Sequence, residues 1–465
     1  VKKQAPKRQV KKHLAALRKA KPRLTDKYAS KEFKARFGAT AKDGATLAPD
    51  RYYDSPRWSQ EILDCSMPMT FDSYSVCSYN CLYCFSFFQR SIGGSKNNYL
   101  ARKVRSVNVD KIIRMFSDPD KHGGQFADYI KDRKTMQWGG LSDQFDSYEK
   151  AFGVTLTLMR FFREIDYPLC FSTKSTWWTQ DERYMELLRD NKKWNIKFSI
   201  IGMDPKQVRD MERGVPSTYA RLKAMERVAK MGGSPPTLRL RPFVIGMSDP
   251  KYLDLIRAAA DAGAGAVSTE FFCVEGRASE ALLKRYKEIS KIIGYDLLSR
   301  YRRYSSGQGY LRLNRNIKRD YIYKMRDLCG ELGLRFYVSD AHFKEQCAHG
   351  SCCGLTDEWN WNRGQFTNAL VIAMKRENGE VAWSDISADA AWMKKFLWRL
   401  ATGFNTGSSE RKSARHTMTI YDYVRNAWND PKSAHSPYQY FEGALKAVRV
   451  DDKGDVVYRV DKERM

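Results

Sequence analysis

Three cysteines, Cys77, Cys81 and Cys84, stand close together in the stretch SVCSYNCLYCFSFF, with tyrosine and phenylalanine around them. Thiolates are soft ligands. Three from one short loop can hold three irons of a cubane iron-sulfur cluster and leave the fourth iron open to a substrate or cofactor. Zinc is the competing occupant, but a closed tetrahedral zinc site needs a fourth ligand, and no histidine or further cysteine lies at finger spacing nearby. A second group, QCAHGSCCG, offers Cys347, Cys352 and Cys353, with His342, His349 and Cys329 as candidates for a fourth ligand. Adjacent cysteines are awkward partners on one cubane. This group therefore reads either as a second iron-sulfur or zinc centre or as reduced structural or redox-active thiols.

The elements that must position these thiols are marked by short β-branched and aromatic runs. TMQWGG (135 to 140), LCFSTKS (169 to 175), NIKFSIIG (195 to 202), TLRLRPFVIG (237 to 246) and AGAVSTEFF (264 to 272) predict strands. Amphipathic stretches fit between them. In SDPKYLDLIRAAADAGAG, Ser248 or Asp249 can cap a helix, Pro250 suits its first turn and Gly263 can close it. In VPSTYARLKAMERVAKMGG, Ser217 is the cap and Gly232 the stop. Repeated strand-helix units imply parallel strands joined by right-handed crossovers, hence a barrel or a doubly wound sheet. Reactive groups should gather at the strands' C-terminal ends. The organisation read from these patterns is a basic arm over residues 1–50, a catalytic α/β region over 51–345 and a smaller C-terminal α+β region over 346–465. In the last of these, NALVIAMKRENGEVAWSDI looks like a hairpin and the chain about VDDKGD like a final strand pair.

Charge restricts the partner. The chain has 465 residues with 81 Lys and Arg against 54 Asp and Glu, a formal charge of +27. Basic residues also dominate the first fifty positions, but the surplus extends into the remainder. A field of that sign concentrates polyanions, and neutralised phosphates release counterions, so nucleic acid is the natural partner class, DNA in preference to RNA. A solvated basic surface is the plain alternative. No run of eighteen or more apolar residues and no secretory-type apolar segment is present, so the expected setting is cytoplasmic, with no membrane partner. In such a reducing setting the chain's ten cysteines are expected to serve metal or redox chemistry rather than a disulfide framework.

The spacing Cys77-x3-Cys81-x2-Cys84, with Tyr83 before the last cysteine, resembles the signature of the radical S-adenosylmethionine (SAM) superfamily. The segment GGLSDQFDSYE (139 to 149) is similar to a conserved stretch of its spore photoproduct lyase-like group, with Ser142, Phe145 and Ser147 as departures. STKS (172 to 175) and MERGVPSTYARLKAMERVAKMG follow in the same order. The resemblance covers roughly residues 70 to 275 and implies a partial (β/α)6 TIM-type barrel. It also implies a [4Fe-4S] cluster on the three cysteines, SAM chelated to the open iron, a 5'-deoxyadenosyl radical, and an electron donor such as flavodoxin or ferredoxin.

Carried over residue by residue, Gly139 and Gly140 fall where backbone approaches the methionyl amino group, and Ser142 and Asp143 follow on the same strand end. Lys174 falls where a cation can pair with the methionyl carboxylate, and Tyr83 where an aromatic ring can shield the radical. Ser199 can bond the ribose or carboxylate, or be an ordinary core hydroxyl. Arg239 and Arg241 share one strand face by the two-residue period and need anionic partners if that face is interior. Cys273 can donate hydrogen, or merely pack. The repair enzymes of the group carry a donor cysteine where this chain has Gly140, which argues for a reaction other than thymine-dimer repair. The reading is thus modification or rearrangement of a nucleic-acid base. Maturation of a peptide or protein, and a non-enzymatic iron-sulfur protein that binds nucleic acid, are the alternatives.

Overall fold

The computed structural model describes residues 56–59, 61–86, 104–305, 310–395 and 418–464. The basic arm expected over 1–50 lies outside the described residues. One eight-stranded sheet organises the chain. Its strands are β1 (Arg57–Trp58), β2 (Met69–Phe71), β3 (Met136–Trp138), β4 (Leu169–Thr173), β5 (Trp194–Ser199), β6 (Thr237–Phe243), β7 (Ala266–Phe271) and β8 (Arg335–Val338), neighbours in that order. β1 runs antiparallel at the edge and the other seven are parallel. All five runs read as strands in the sequence are strands in this sheet.

Sequential parallel order has a consequence for the layers. Crossovers of one hand carry every connecting helix to the same side, so the two faces of the sheet meet different surroundings. The helix-bearing face is apolar: Phe71, Trp138, Phe171 and Trp194 follow one another across β2 to β5, with ring centroids 5.0, 5.2 and 5.5 Å apart. Phe162, on helix α1 (Val154–Glu164), packs on Trp138 at 5.5 Å. The opposite face is polar and shielded to varying depth: Lys197, Ser199 and Ser268 are buried and the others on it half-buried. It carries Thr70, Gln137, Ser172, Lys197, Ser199, Arg239, Arg241, Ser268 and Glu270. A parallel strand covered on both faces normally reads as a continuous apolar run, so this alternation marks an interior built for something other than side-chain packing.

Helix ends follow partly from local chemistry. Ser217 caps helix α2 (Thr218–Ala229) through the Ala220 N–H, as predicted. Helix α3 (Tyr252–Asp261) has no side-chain cap. Ser248 instead donates to the Ile201 carbonyl at 2.6 Å, and Asp249 accepts from the Gly246 N–H, because both serve the turn that leaves β6.

The expected hairpin over 368–386 is corrected. Phe366–Lys375 is a helix, followed by a short strand at Glu380–Val381. Once Phe366 is included, Phe366, Ala369, Leu370 and Ala373 are buried at helical spacing, and Gln365 caps the run through the Asn368 N–H. The final strand pair is present as Leu445–Val450 and Val456–Val460.

Residues 346–361 return to the sheet. Thr135 donates to the Asn360 carbonyl at the start of β3, Ser268 to the Cys352 carbonyl at 3.2 Å, and Tyr337 to the Leu355 carbonyl at 3.2 Å.

Candidate active site

The loop that leaves β2 carries the cysteine triplet. Cys81 is buried, while Cys77 and Cys84 are half-buried. Asn80 and Cys81 pair with Glu212 and Arg213, and the Leu82 N–H donates to the Met211 carbonyl at 2.9 Å. Arg285, on helix α4 (Glu280–Ile293), donates to the Cys81 carbonyl at 2.9 Å and to the Asn80 amide oxygen at 2.7 Å. These contacts hold the loop backbone, and backbone N–H groups of Tyr79 and Asp143 reach the Cys77 sulfur. Burial pushes the Cys81 thiol up to about 12, offset in part by Lys174, and pushes Cys77 well above its ordinary value with help from Asp146 and Asp143. Metal binding must therefore displace protons from these sulfurs.

Tyr83 links the loop to the sheet. Its hydroxyl donates to Glu212, which forms a fully buried ion pair with Arg221 at 2.6 Å. Arg221 in turn donates to the Ser199 carbonyl at 2.7 Å. The Lys174 ammonium stands over the Tyr83 ring, 5.7 Å from its centroid. Glu212 and Arg221 were visible in the sequence only as part of a motif's rhythm, since their pairing joins a short strand to a helix beyond it.

The strand ends beyond the loop bring the other predicted residues into order. Asp143 accepts from the Thr173 hydroxyl at 2.9 Å, the Lys174 N–H at 2.6 Å and the Phe145 N–H at 3.0 Å. Burial raises its pKa while these donors oppose the rise. Asp143 thus ties the end of β3 to the end of β4 and sets the position of Lys174. Ser142 donates to the Tyr74 carbonyl at 3.0 Å and to Asp72 at 3.2 Å, so it holds the loop rather than facing an opening. Gly139 has φ +83°, and an added Cβ would lie 2.0 Å from the Gln144 amide oxygen. At Gly140 an added Cβ would meet Arg57 at 2.9 Å. Gln144 is fully buried, and neither its amide nitrogen nor its oxygen has a hydrogen-bond partner among the described residues. Such a group costs about 1–3 kcal/mol unless something else meets it.

On the polar face, Lys197 donates to Gln137 at 2.6 Å, Arg239 reaches the Ser199 hydroxyl at 3.4 Å, and Arg241 pairs with Glu270. Burial and the nearby Arg241 lower Arg239 to about 10. Cys273 lies just past β7, half-buried, and donates to the Phe271 carbonyl at 3.5 Å. Burial and Glu270 push it up to about 12, so it stays a thiol at neutral pH.

The second cysteine group meets a residue that sequence spacing did not single out. Cys352 and Cys353 have sulfurs 3.7 Å apart. Cys65, from the segment before β2, lies near enough to both for their charges to interact, and Cys347 near enough to Cys352. Cys353 is the thiolate-favouring member of the adjacent pair, through its hydrogen bond from Cys352 and the neighbouring Lys197 and Arg241. His349 pairs with Asp357 at 2.8 Å, and Cys329 is buried on helix α5 (Arg315–Glu331). The side chain of His342 lies outside the described residues. Among the described residues no three His, Cys, Asp or Glu side chains converge as a single ion requires. A cubane spreads its ligands over several irons, so the donor chemistry of the Cys77, Cys81 and Cys84 triplet suits a cluster better than one zinc ion.

No helix among the described residues is long and apolar enough to cross a membrane. No family model and no curated protein sequence matches the chain. Solved structures similar to it include a cysteine-to-serine mutant of spore photoproduct lyase, 16% identical, covering 70% of this chain and 93% of that one with a TM-score of 0.45. A mutant of the same lyase with bound AdoMet and dinucleoside spore photoproduct is 17% identical over 60% of this chain and 80% of that one, with a TM-score of 0.42. Streptococcus suis SuiB bound to its precursor peptide SuiA is 15% identical over 80% of this chain and 75% of that one, with a TM-score of 0.38.

Proposed function

We propose that this chain is a radical SAM enzyme that modifies or rearranges a nucleic-acid base, on an open barrel of (β/α)6 type. The observation that carries the reading is the meeting of a three-thiol loop with a buried to half-buried polar sheet face rich in cations. The three sulfurs suit a [4Fe-4S] cluster with one open iron, and the unpartnered Gln144 amide beside Gly139 suits a polar ligand at the same strand ends. Such a cluster supplies reductive cleavage of SAM to a carbon radical that takes hydrogen from the substrate.

The chain's own residues bind and orient. Lys174, fixed by Asp143 and set against Tyr83, neutralises a carboxylate. Gly139 and Gly140 present backbone, and Ser199 with Arg239 bonds polar groups of the cofactor. Arg241 faces the substrate side, with Cys273 as a hydrogen donor that keeps its proton at neutral pH. The formal charge of +27 favours a polyanionic substrate over a peptide.

The test is anaerobic incubation with SAM, dithionite and single-stranded or duplex DNA or RNA, followed by nucleoside mass spectrometry. The expected result is 5'-deoxyadenosine together with one altered nucleoside. SAM cleavage that is stimulated by a peptide, with every nucleoside unchanged, would move the reading to peptide maturation.

Cys65, Cys347, Cys352 and Cys353 are proposed as the thiols of a second centre under the polar face. Iron and sulfide should exceed the content of one cubane. Replacing all four by Ala should remove only that excess, and an unchanged iron content would exclude the centre.

A further inference from the structure

We propose that the rim formed by helix α6 (Leu297–Tyr304) and the short strand Tyr310–Leu311 is a docking surface for a single strand of nucleic acid, with Tyr310 as a stacking platform for a base. The inference rests on the nucleic-acid reading above and names the surface that would serve it.

Three observations carry it. Between Asp296 and Asp320 the chain has no acidic residue, while Arg300, Arg302, Arg303, Arg312, Arg315, Lys318 and Arg319 are basic. Arg315 pairs with Glu345 and Lys318 with Asp340, which accounts for two of these charges inside the fold. Arg302, Arg303 and Arg312 are exposed and form no ion pair among the described residues.

Guanidinium groups and tyrosine rings also alternate along the rim. Arg300 lies over Tyr295 at 4.6 Å, Arg303 over Tyr304 at 5.3 Å and Arg312 over Tyr310 at 5.4 Å. Tyr310 is 44% exposed, one of the few large apolar side chains left open to solvent among the described residues. Rings interleaved with cations suit a strand whose bases are unpaired, because each base offers a π-face and each phosphate a charge. A duplex hides those faces.

Position supplies the third observation. Val274 and Glu275, which pair with Leu311 and Tyr310, lie three residues beyond β7, next to Cys273. Arg312 is close enough to Cys273 to oppose the rise in its pKa, and both Arg312 and Arg241 act on Glu61. The basic rim is therefore continuous with the end of the sheet where Arg241 and Glu270 pair. A strand held along it would bring a base to the polar face without a path through the fold.

The test uses the full chain and a fluorescein-labelled single-stranded DNA oligonucleotide, the same sequence as RNA, and the DNA duplex, with anisotropy measured across a salt series. The double variant Arg302→Ala/Arg303→Ala should weaken single-strand binding about tenfold and lower the slope of log affinity against log salt by roughly 1.4, about 0.7 for each phosphate no longer neutralised. Tyr310→Ala should weaken binding about tenfold with the slope unchanged, since stacking releases no counterions. All three side chains are exposed, so the thermal midpoint should not move. Tight single-strand binding by the wild type that neither variant weakens would overturn this surface and leave the nucleic-acid reading in place. Failure of the wild type to bind any of the three probes would overturn both. A stronger preference for RNA or DNA would name the strand, and a preference for duplex would overturn the stacking assignment.

Discussion

Cys81→Ala protein, reconstituted anaerobically with iron and sulfide, should lack the iron of one cubane and form 5'-deoxyadenosine only at background level. The expected loss exceeds about a hundredfold, the upper range seen when mere outer partners of metal ligands are removed. Cys81 is the buried member of the triplet, and its neighbours fix its backbone through the Glu212–Arg213 pairing and Arg285. The substitution removes a sulfur without removing any of those backbone bonds, so the fold should persist. Cys273→Ala is the contrast. That thiol lies just past β7 and is not one of the triplet, so its loss should spare both iron content and SAM cleavage while reducing modified product. Retention of full SAM cleavage by Cys81→Ala would remove the basis for the cluster assignment.

Arg221→Met should cost the fold about 3–5 kcal/mol, read as a lower midpoint in chemical denaturation. Arg221 and Glu212 are both fully shielded from solvent, and Arg221 also bonds the end of β5. Removing the cation leaves the Glu212 carboxylate buried, with the Tyr83 hydroxyl its remaining polar partner on the side of the cysteine loop. An uncompensated buried charge is far more costly than the net worth of the pair it came from. The double variant Glu212→Gln/Arg221→Met should therefore recover most of the loss, because a neutral amide can still accept from Tyr83. A loss below about 1 kcal/mol for the single variant would show that water reaches the pair. Because Tyr83 belongs to the cysteine loop and bonds Glu212, the single variant should also load iron more slowly than the double.

The triplet was legible in the sequence because its chemistry is local: three thiols on one loop are brought together by spacing, whatever the rest of the chain does. The five strands and the Ser217 cap were legible for the same reason, since side-chain alternation and a capping hydroxyl act over a few residues. Where a local signal had two outlets, tertiary context chose between them. Ser248 and Asp249 could have capped α3 but bond the turn after β6, and NALVIAMK joined a helix once Phe366 extended its apolar stripe. The remaining features depend on which strands become neighbours, and that is decided by long-range packing. Sequential parallel order sorted Lys197, Ser199, Arg239 and Arg241 onto one polar face opposite the helices. It brought Cys65 within electrostatic reach of Cys352, nearly three hundred residues away. No periodicity within a short window encodes such meetings, because each is a contact between elements that the chain visits far apart.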